Sequence, residues 1–344
     1  MRNGIVFTDV APIFVVGAAR SGTTLLQMML NAHPHLAIYG ELHYFDSILQ
    51  LKRLVPSLEG IDNINALYSL LPRVSSFQYL PNIELLLEVT RKRLLETNAA
   101  SYEALYRYLM EEFSRIEGAR RFGEKTPQNV RYIKDLVNLF PRARIVHIVR
   151  DPRAVVASMT KVPWTSDDIV TNALKWRSDV AAGLSWRDDK RHYMEVQYEE
   201  FVARPAPVLR EICQFVGEEY DEQMLDFHKH TERYVTEQPW KNEASKPLNT
   251  QPLEKWKVEL SSVQVGVVEI FAGRIMELCG YRKSAKTAWD RIRYPLTIGV
   301  ELKKYVSYKR RQNLYRRREG RDVVFGERGK LLRTLLRTLL RARP

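Results

Sequence analysis

Residues Ile13 to Glu41 read IFVVGAARSGTTLLQMMLNAHPHLAIYGE, and this stretch decides the fold. Four apolar residues, Ile13 to Val16, run into a loop of small residues from Gly17 to Gly22, and an apolar helical pattern follows from Thr24 to Leu30. The order is strand, loop, helix. Small residues let the backbone turn tightly, so that several N–H groups and the positive end of the helix dipole converge on one point. Such a point suits a phosphate.

The spacing is close to the phosphate-binding pattern G-x-x-x-x-G-K-[ST], with Gly17 and Gly22 in register. Where that pattern has Lys, this chain has Thr23, followed by Thr24. A lysine there reaches the β- and γ-phosphates of a nucleoside triphosphate, and threonine is too short to do so. The loop therefore reads as a cradle for a shorter anion, with charge from Arg20 and hydroxyls from Ser21, Thr23 and Thr24. A P-loop kinase or NTPase is the competing enzyme reading.

Working outward, Leu36 to Tyr39 is a short strand candidate, and Glu41 and His43 lie just past it, where residues of an open parallel sheet line the ligand crevice. Phe122-Gly123-Glu124-Lys125-Thr126-Pro127-Gln128-Asn129 reads as a strand stopped by proline before a helix from Val130 to Phe140, which puts Lys125 at the lip of the crevice. Arg144 to Val149 is a buried parallel strand by its apolar run. Arg150-Asp151-Pro152-Arg153 ends it before a helix through Ser158 and Met159, with Asp151 as the cap or as an acidic residue of NTPase type. Residues 46 to 120 are helical by their three- and four-residue spacing and carry no readable motif. Further helices are expected at Trp164 to Arg187, Pro207 to Val216, Asp221 to Phe227 and Val263 to Leu278, a strand at His192 to Tyr198, and a polar loop at Thr231 to Leu253.

At Arg20-Ser21-Gly22-Thr23-Thr24-Leu25 the chain resembles the 5′-phosphosulfate loop of sulfotransferases that use 3′-phosphoadenosine 5′-phosphosulfate (PAPS). Leu30-Asn31-Ala32-His33-Pro34 and Gly40-Glu41 resemble the tyrosylprotein and carbohydrate branches. The resemblance spans about residues 12 to 282. It implies an α/β, P-loop-like three-layer fold around a mostly parallel sheet, and sulfuryl transfer to an acceptor hydroxyl. It also implies roles for residues. Arg20, Ser21, Gly22, Thr23 and Thr24 hold the 5′ end, Arg150 and Ser158 the 3′-phosphate, Tyr198 lies near the base, and Lys255, before Trp256, touches the cofactor. Trp240 stands where the family has a serine contact. Glu41 is the general base that the resemblance favours, with His43 the alternative. Lys125 and Arg20 stabilise the transferring group. PAPS is the implied donor and no metal is expected, because the histidines lack ligand spacing.

With 344 residues and 45% hydrophobic residues, the chain can bury a large core, and no apolar run is long enough to span a bilayer. Residues Met1 to Pro12 lack the pattern of a secretory signal. Cys213 and Cys279 read as buried thiols suited to a reducing compartment, so a cytoplasmic location is expected, with the tail peripheral at a membrane. The net charge of +13 sits in that tail. From Lys283 to Pro344 there are 19 Lys and Arg against 5 Asp and Glu. One domain plus a tail follows: a catalytic body, 1–282, and a basic, partly amphipathic helical extension, 283–344. The leucine pairs of 331–340 beside arginines suit an anionic membrane surface, or docking on the body or on a second subunit of a homodimer; a nucleic-acid tail is the weakest reading, and a non-catalytic membrane or nucleic-acid adaptor led by this tail is the alternative to an enzyme. The acceptor is a carbohydrate, a glycolipid or a tyrosine.

Overall fold

A computed structural model describes residues 11–74, 77, 82–162, 165, 168–229, 246–248 and 253–284. The expectations for Trp164, Trp240, most of the loop after Thr231 and the tail beyond Ser284 lie outside these residues. Among them, one sheet holds β1 (Ile13–Gly17), β2 (Leu36–Tyr39), β3 (Arg121–Lys125), β4 (Arg144–Val149) and β5 (Tyr193–Gln197). The spatial order is β2-β3-β1-β4-β5, and every pairing is parallel. In register, Val15 faces Lys125, Gly17 faces Ile148, and Val149 faces Gln197.

β1 and β2 are apolar on both faces, as a sheet covered twice requires. Phe14, Val16, Ala37 and Tyr39 point into a core closed by α2 (Ile61–Leu70), α3 (Ile83–Glu96), α4 (Tyr102–Glu117) and α5 (Ile133–Leu139). Ile13, Val15, Ile38 and Ile148 point the other way, against α1 (Thr23–Asn31), α8 (Tyr198–Ala203) and α9 (Pro205–Val216). A third cluster joins Val149 to α6 (Pro152–Met159), α7 (Ile169–Leu184) and α11 (Ser262–Leu278). Burial of each large apolar side chain contributes about 1.5–3 kcal/mol before entropy is counted. The tyrosines of the motif-free region belong to this core: Tyr102 and Tyr106 are buried, as are both cysteines.

Local chemistry sets the ends. Ser101 Oγ accepts from the Ala104 N–H at 3.0 Å to start α4, and Gly118 closes it in the left-handed conformation. Asp168 accepts from the N–H groups of Val170 and Thr171, so α7 begins at Ile169, five residues later than its sequence pattern suggests. The helix expected from Val130 opens earlier, at Pro127, as a 3-10 turn through Tyr132 before α5. The one expected at Asp221 to Phe227 is instead two 3-10 turns, Glu222–Met224 and Phe227–Lys229. So short a segment gains little from helix propagation, and buried Met224 and Phe227 anchor each turn separately. No helix among the described residues is long and apolar enough to cross a membrane.

Candidate active site

The carboxyl ends of the five strands set out the site in a row. In spatial order they deliver Glu41 after β2, Lys125 at the end of β3, the Gly17–Gly22 loop after β1, Arg150 after β4 and Tyr198 after β5. At about 4.8 Å between strands, the row is long enough for an extended ligand with groups at both ends. One loop and four single residues, spread from Gly17 to Tyr198, thus share one edge.

The loop after β1 is built for an anion. Arg20 adopts the left-handed conformation, φ 70°, where non-glycine residues are uncommon and cluster at functional sites. Gly22, φ 97°, is the N-cap of α1 and makes no side-chain cap, and the first turn holds no acidic residue. A Cβ on Gly22 would stand 2.3 Å from the Tyr198 ring. Ser21 Oγ is buried and has no hydrogen-bond partner among the described residues. Buried polar atoms are rarely left so, and a phosphate oxygen aligned on the N-terminus of α1 would satisfy this one. Thr23 is buried and Thr24 half-buried in the first turn.

Two further elements close on this loop. Arg20 Nε donates to Ser158 Oγ at 3.1 Å, and an Arg150 amine donates to the Arg20 carbonyl oxygen at 3.2 Å. The Arg150 guanidinium lies over the Tyr198 ring, 4.3 Å from its centroid. Burial and then the nearby Arg150 charge push the pKa of Arg20 down, whereas Glu41 pulls it up. Two guanidinium groups gathered this closely suit an anion between them. Arg150 is fixed from behind: its carbonyl accepts from Trp176 Nε1 at 3.0 Å, and the next N–H, of Asp151, donates to Glu199 at 3.0 Å. Tyr281 donates to the other Glu199 oxygen at 2.7 Å. Asp151 caps α6 and grips Arg153 through both carboxylate oxygens, so its oxygens are engaged in structure.

At the other end of the row Lys125 is 0% exposed. It lies inside the wall of the crevice, not on its lip, because β3 is flanked by β1 and β2. Its ammonium donates to Glu41, whose second oxygen is 3.2 Å from His43 Nε2. The Glu41 side chain remains 26% exposed and so can be reached from the crevice. Lys255 is exposed ahead of α10 (Trp256–Glu259). Its neighbour Trp256 stacks on Arg153 at 4.1 Å, and Asp151 grips that Arg153, so the contact seen here belongs to Trp256 and not to Lys255.

Sequence reading assigned no role to Glu124, Glu199, Tyr281 or Arg153. For Glu124 a signal was present, since an acidic residue inside an apolar strand calls for donors. The others act through partners distant in sequence. One grouping of metal-ligand types comes together among the described residues, His33, His35 and Glu218. His33 is engaged at both ring nitrogens, by the His35 N–H at 3.1 Å and the Glu219 carbonyl at 2.8 Å, so it shapes a turn.

Comparison with known proteins agrees with this geometry. Residues 12–222 match the sulfotransferase family. The chain is 26% identical over 264 residues to the protein-tyrosine sulfotransferase of Drosophila melanogaster, covering 71% of this chain and 46% of that one. It is 24% identical over 315 residues to nodulation protein NoeE of Sinorhizobium fredii, covering 82% and 70%. In structure it is similar to the sulfotransferase domain of the Synechococcus PCC 7002 olefin synthase, with a TM-score of 0.58, 22% identity, and 80% and 97% of the two chains covered. That likeness shows the fold. With a family match over more than half its length, the chain belongs to the sulfotransferase family and is a transferase of sulfuryl groups.

Proposed function

We propose that the chain moves the sulfuryl group of PAPS to an acceptor hydroxyl, in line with departure of the phosphate. The donor supplies both the sulfuryl group and the phosphate leaving group. Ser21, Gly22, Thr23 and Thr24 hold the 5′ end with backbone N–H groups and hydroxyls. Arg150 and Ser158 hold the 3′-phosphate, Tyr198 lies beside them as a wall for the base, and Lys255, just ahead of α10, touches the cofactor. Arg20 and Lys125 face the negative charge that spreads over the transferring oxygens. Glu41 takes the acceptor proton at one carboxylate oxygen, with His43 the alternative at that position.

The observation that carries this reading is the Arg20–Ser158 hydrogen bond of 3.1 Å, which joins the proposed 5′ and 3′ elements in one place. The relatives named as tyrosine sulfotransferases make a peptide tyrosine the first acceptor to try, ahead of a glycan or a glycolipid. Residues 1–282 form the catalytic body, and 283–344 a basic extension that brings it to anionic membrane.

Calorimetric titration with 3′-phosphoadenosine 5′-phosphate (PAP), ATP and AMP tests the donor. PAP binds best, and Arg150→Ala weakens it by about a hundredfold. ATP binding as well as PAP, or Arg150→Ala without effect, overturns the reading.

A further inference from the structure

The last two residues of β3 both reach the short segment after β2. Lys125 holds the Glu41 carboxylate. Glu124, wholly buried, accepts the backbone N–H of Leu42 at 3.1 Å on one oxygen. Thr126 donates its hydroxyl to that same oxygen, while Tyr106 OH and the Asn129 amide, at 3.0 Å, donate to the other.

A buried carboxylate is costly unless donors surround it, and four donors saturate both oxygens. Burial pushes the Glu124 carboxyl pKa up, while its hydrogen bonds pull it down. A core position this expensive does not serve packing alone, since an apolar side chain would pack there without desolvating a charge. What it secures is the peptide between Glu41 and His43. His43 is left-handed, φ 51°, a strained conformation for a residue with a Cβ, so this segment keeps its shape only while it is held.

We propose that Glu124 is a positioning residue for the reacting carboxylate: by accepting the Leu42 N–H it fixes the segment that carries Glu41 and His43, so that Glu41 meets the acceptor in reach of Lys125. The inference rests on the assignment of Glu41 as the proton acceptor. Displacement of about 1 Å at a reacting group costs about a hundredfold in rate.

The test uses the full chain with Glu124→Ala, Glu124→Gln, Glu41→Gln and the double variant Glu41→Gln/Glu124→Ala. Turnover is followed on a tyrosine peptide, PAP affinity by calorimetry, and Leu42 amide protection by hydrogen exchange of the segment 36–45. Glu124→Ala lowers kcat about a hundredfold, keeps PAP affinity within about threefold, and loses Leu42 protection. Glu124→Gln keeps its carbonyl on the Leu42 N–H, while the new NH₂ donates to a flipped Asn129 amide and to the Tyr106 oxygen, whose hydroxyl turns to accept, so kcat and protection stay within about threefold of wild type. In the Glu41→Gln background, Glu124→Ala adds little further loss, because the two act as one unit.

Full additivity of the two losses overturns the proposal, and so does parallel loss of turnover and PAP binding, which would mark a general core residue. If Glu124→Ala does not fold, Glu124→Gln decides: loss of turnover with Leu42 still protected overturns it. Wild-type turnover in Glu41→Gln would sink the assignment of Glu41 itself. Exchange at Leu42 would then still report whether Glu124 holds the segment.

Discussion

Arg20 Nε stands 3.1 Å from Ser158 Oγ, so a loop residue after the first strand and a residue near the end of α6, 138 positions apart, form one pair. Ser158→Ala removes the acceptor that orients Arg20 and a hydroxyl from the proposed 3′ site. A hydrogen bond to a charged group is worth about 1.5–3 kcal/mol, so PAP affinity falls about tenfold or more while the melting temperature barely moves. Titration of the purified variant checks both; unchanged affinity would remove Ser158 from the site.

Lys125 is buried against Glu41, and the proposed transfer puts its charge on the transferring group. Lys125→Ala lowers kcat by about a hundredfold and leaves the donor KM within about threefold, the pattern of a group that acts mainly in the transition state. Lys125→Arg does not restore the rate, because the enclosed site fits a compact ammonium and not a planar fork. A rise in KM with kcat intact would instead make Lys125 a ground-state contact.

Gly22 is fixed by two constraints, its positive φ and the Tyr198 ring 2.3 Å from where a Cβ would stand. Gly22→Ala strains the loop and pushes Tyr198 away, lowering the melting temperature and abolishing PAP binding. PAP binding in Gly22→Ala/Tyr198→Ala equal to that of Tyr198→Ala alone would trace the defect to that clash; weaker binding than Tyr198→Ala alone would trace it to the loop backbone.

Burial, and next the Arg187 charge, hold His147 neutral with its pKa pushed down to about 3. The unfolded chain takes up a proton near pH 6.5 that the folded chain refuses. The depressed folded value gives a contribution that is whole above about pH 6.5 and is lost as pH falls toward about 3. The urea midpoint therefore drops from pH 7 to pH 5, and His147→Gln shrinks that drop. An equal drop in the variant would assign the acid sensitivity to other groups.

Residues just past α11 are bonded to the helices before them. Arg153 donates to the Arg282 carbonyl at 3.2 Å and to Ser284 Oγ at 3.1 Å, and the Ser284 N–H donates to Glu269 at 2.8 Å. A chain ending at Ser284 keeps PAP affinity and the wild-type melting temperature but loses sedimentation with anionic vesicles. One ending at Tyr281 also melts several degrees lower, since it breaks all three bonds. Equal melting of the two truncations would move the boundary inward.

Local chemistry wrote much of this protein into its sequence. The strand at Ile13, the loop with its glycines, the strand from Arg144 to Val149 and the cap at Asp151 depend on neighbours a few residues away, and pattern alone finds them. Glu41, Arg20, Lys125, Arg150, Ser158 and Tyr198 were legible as candidates because the motifs around them are local too. Tertiary structure decided the order of the strands, and so which candidates meet. Because β3 inserts between β2 and β1, Lys125 is buried against Glu41 and Glu124 reaches Leu42. Contacts between residues some eighty positions apart are selected by burial and saturation of polar groups across the whole sheet, which no local pattern encodes.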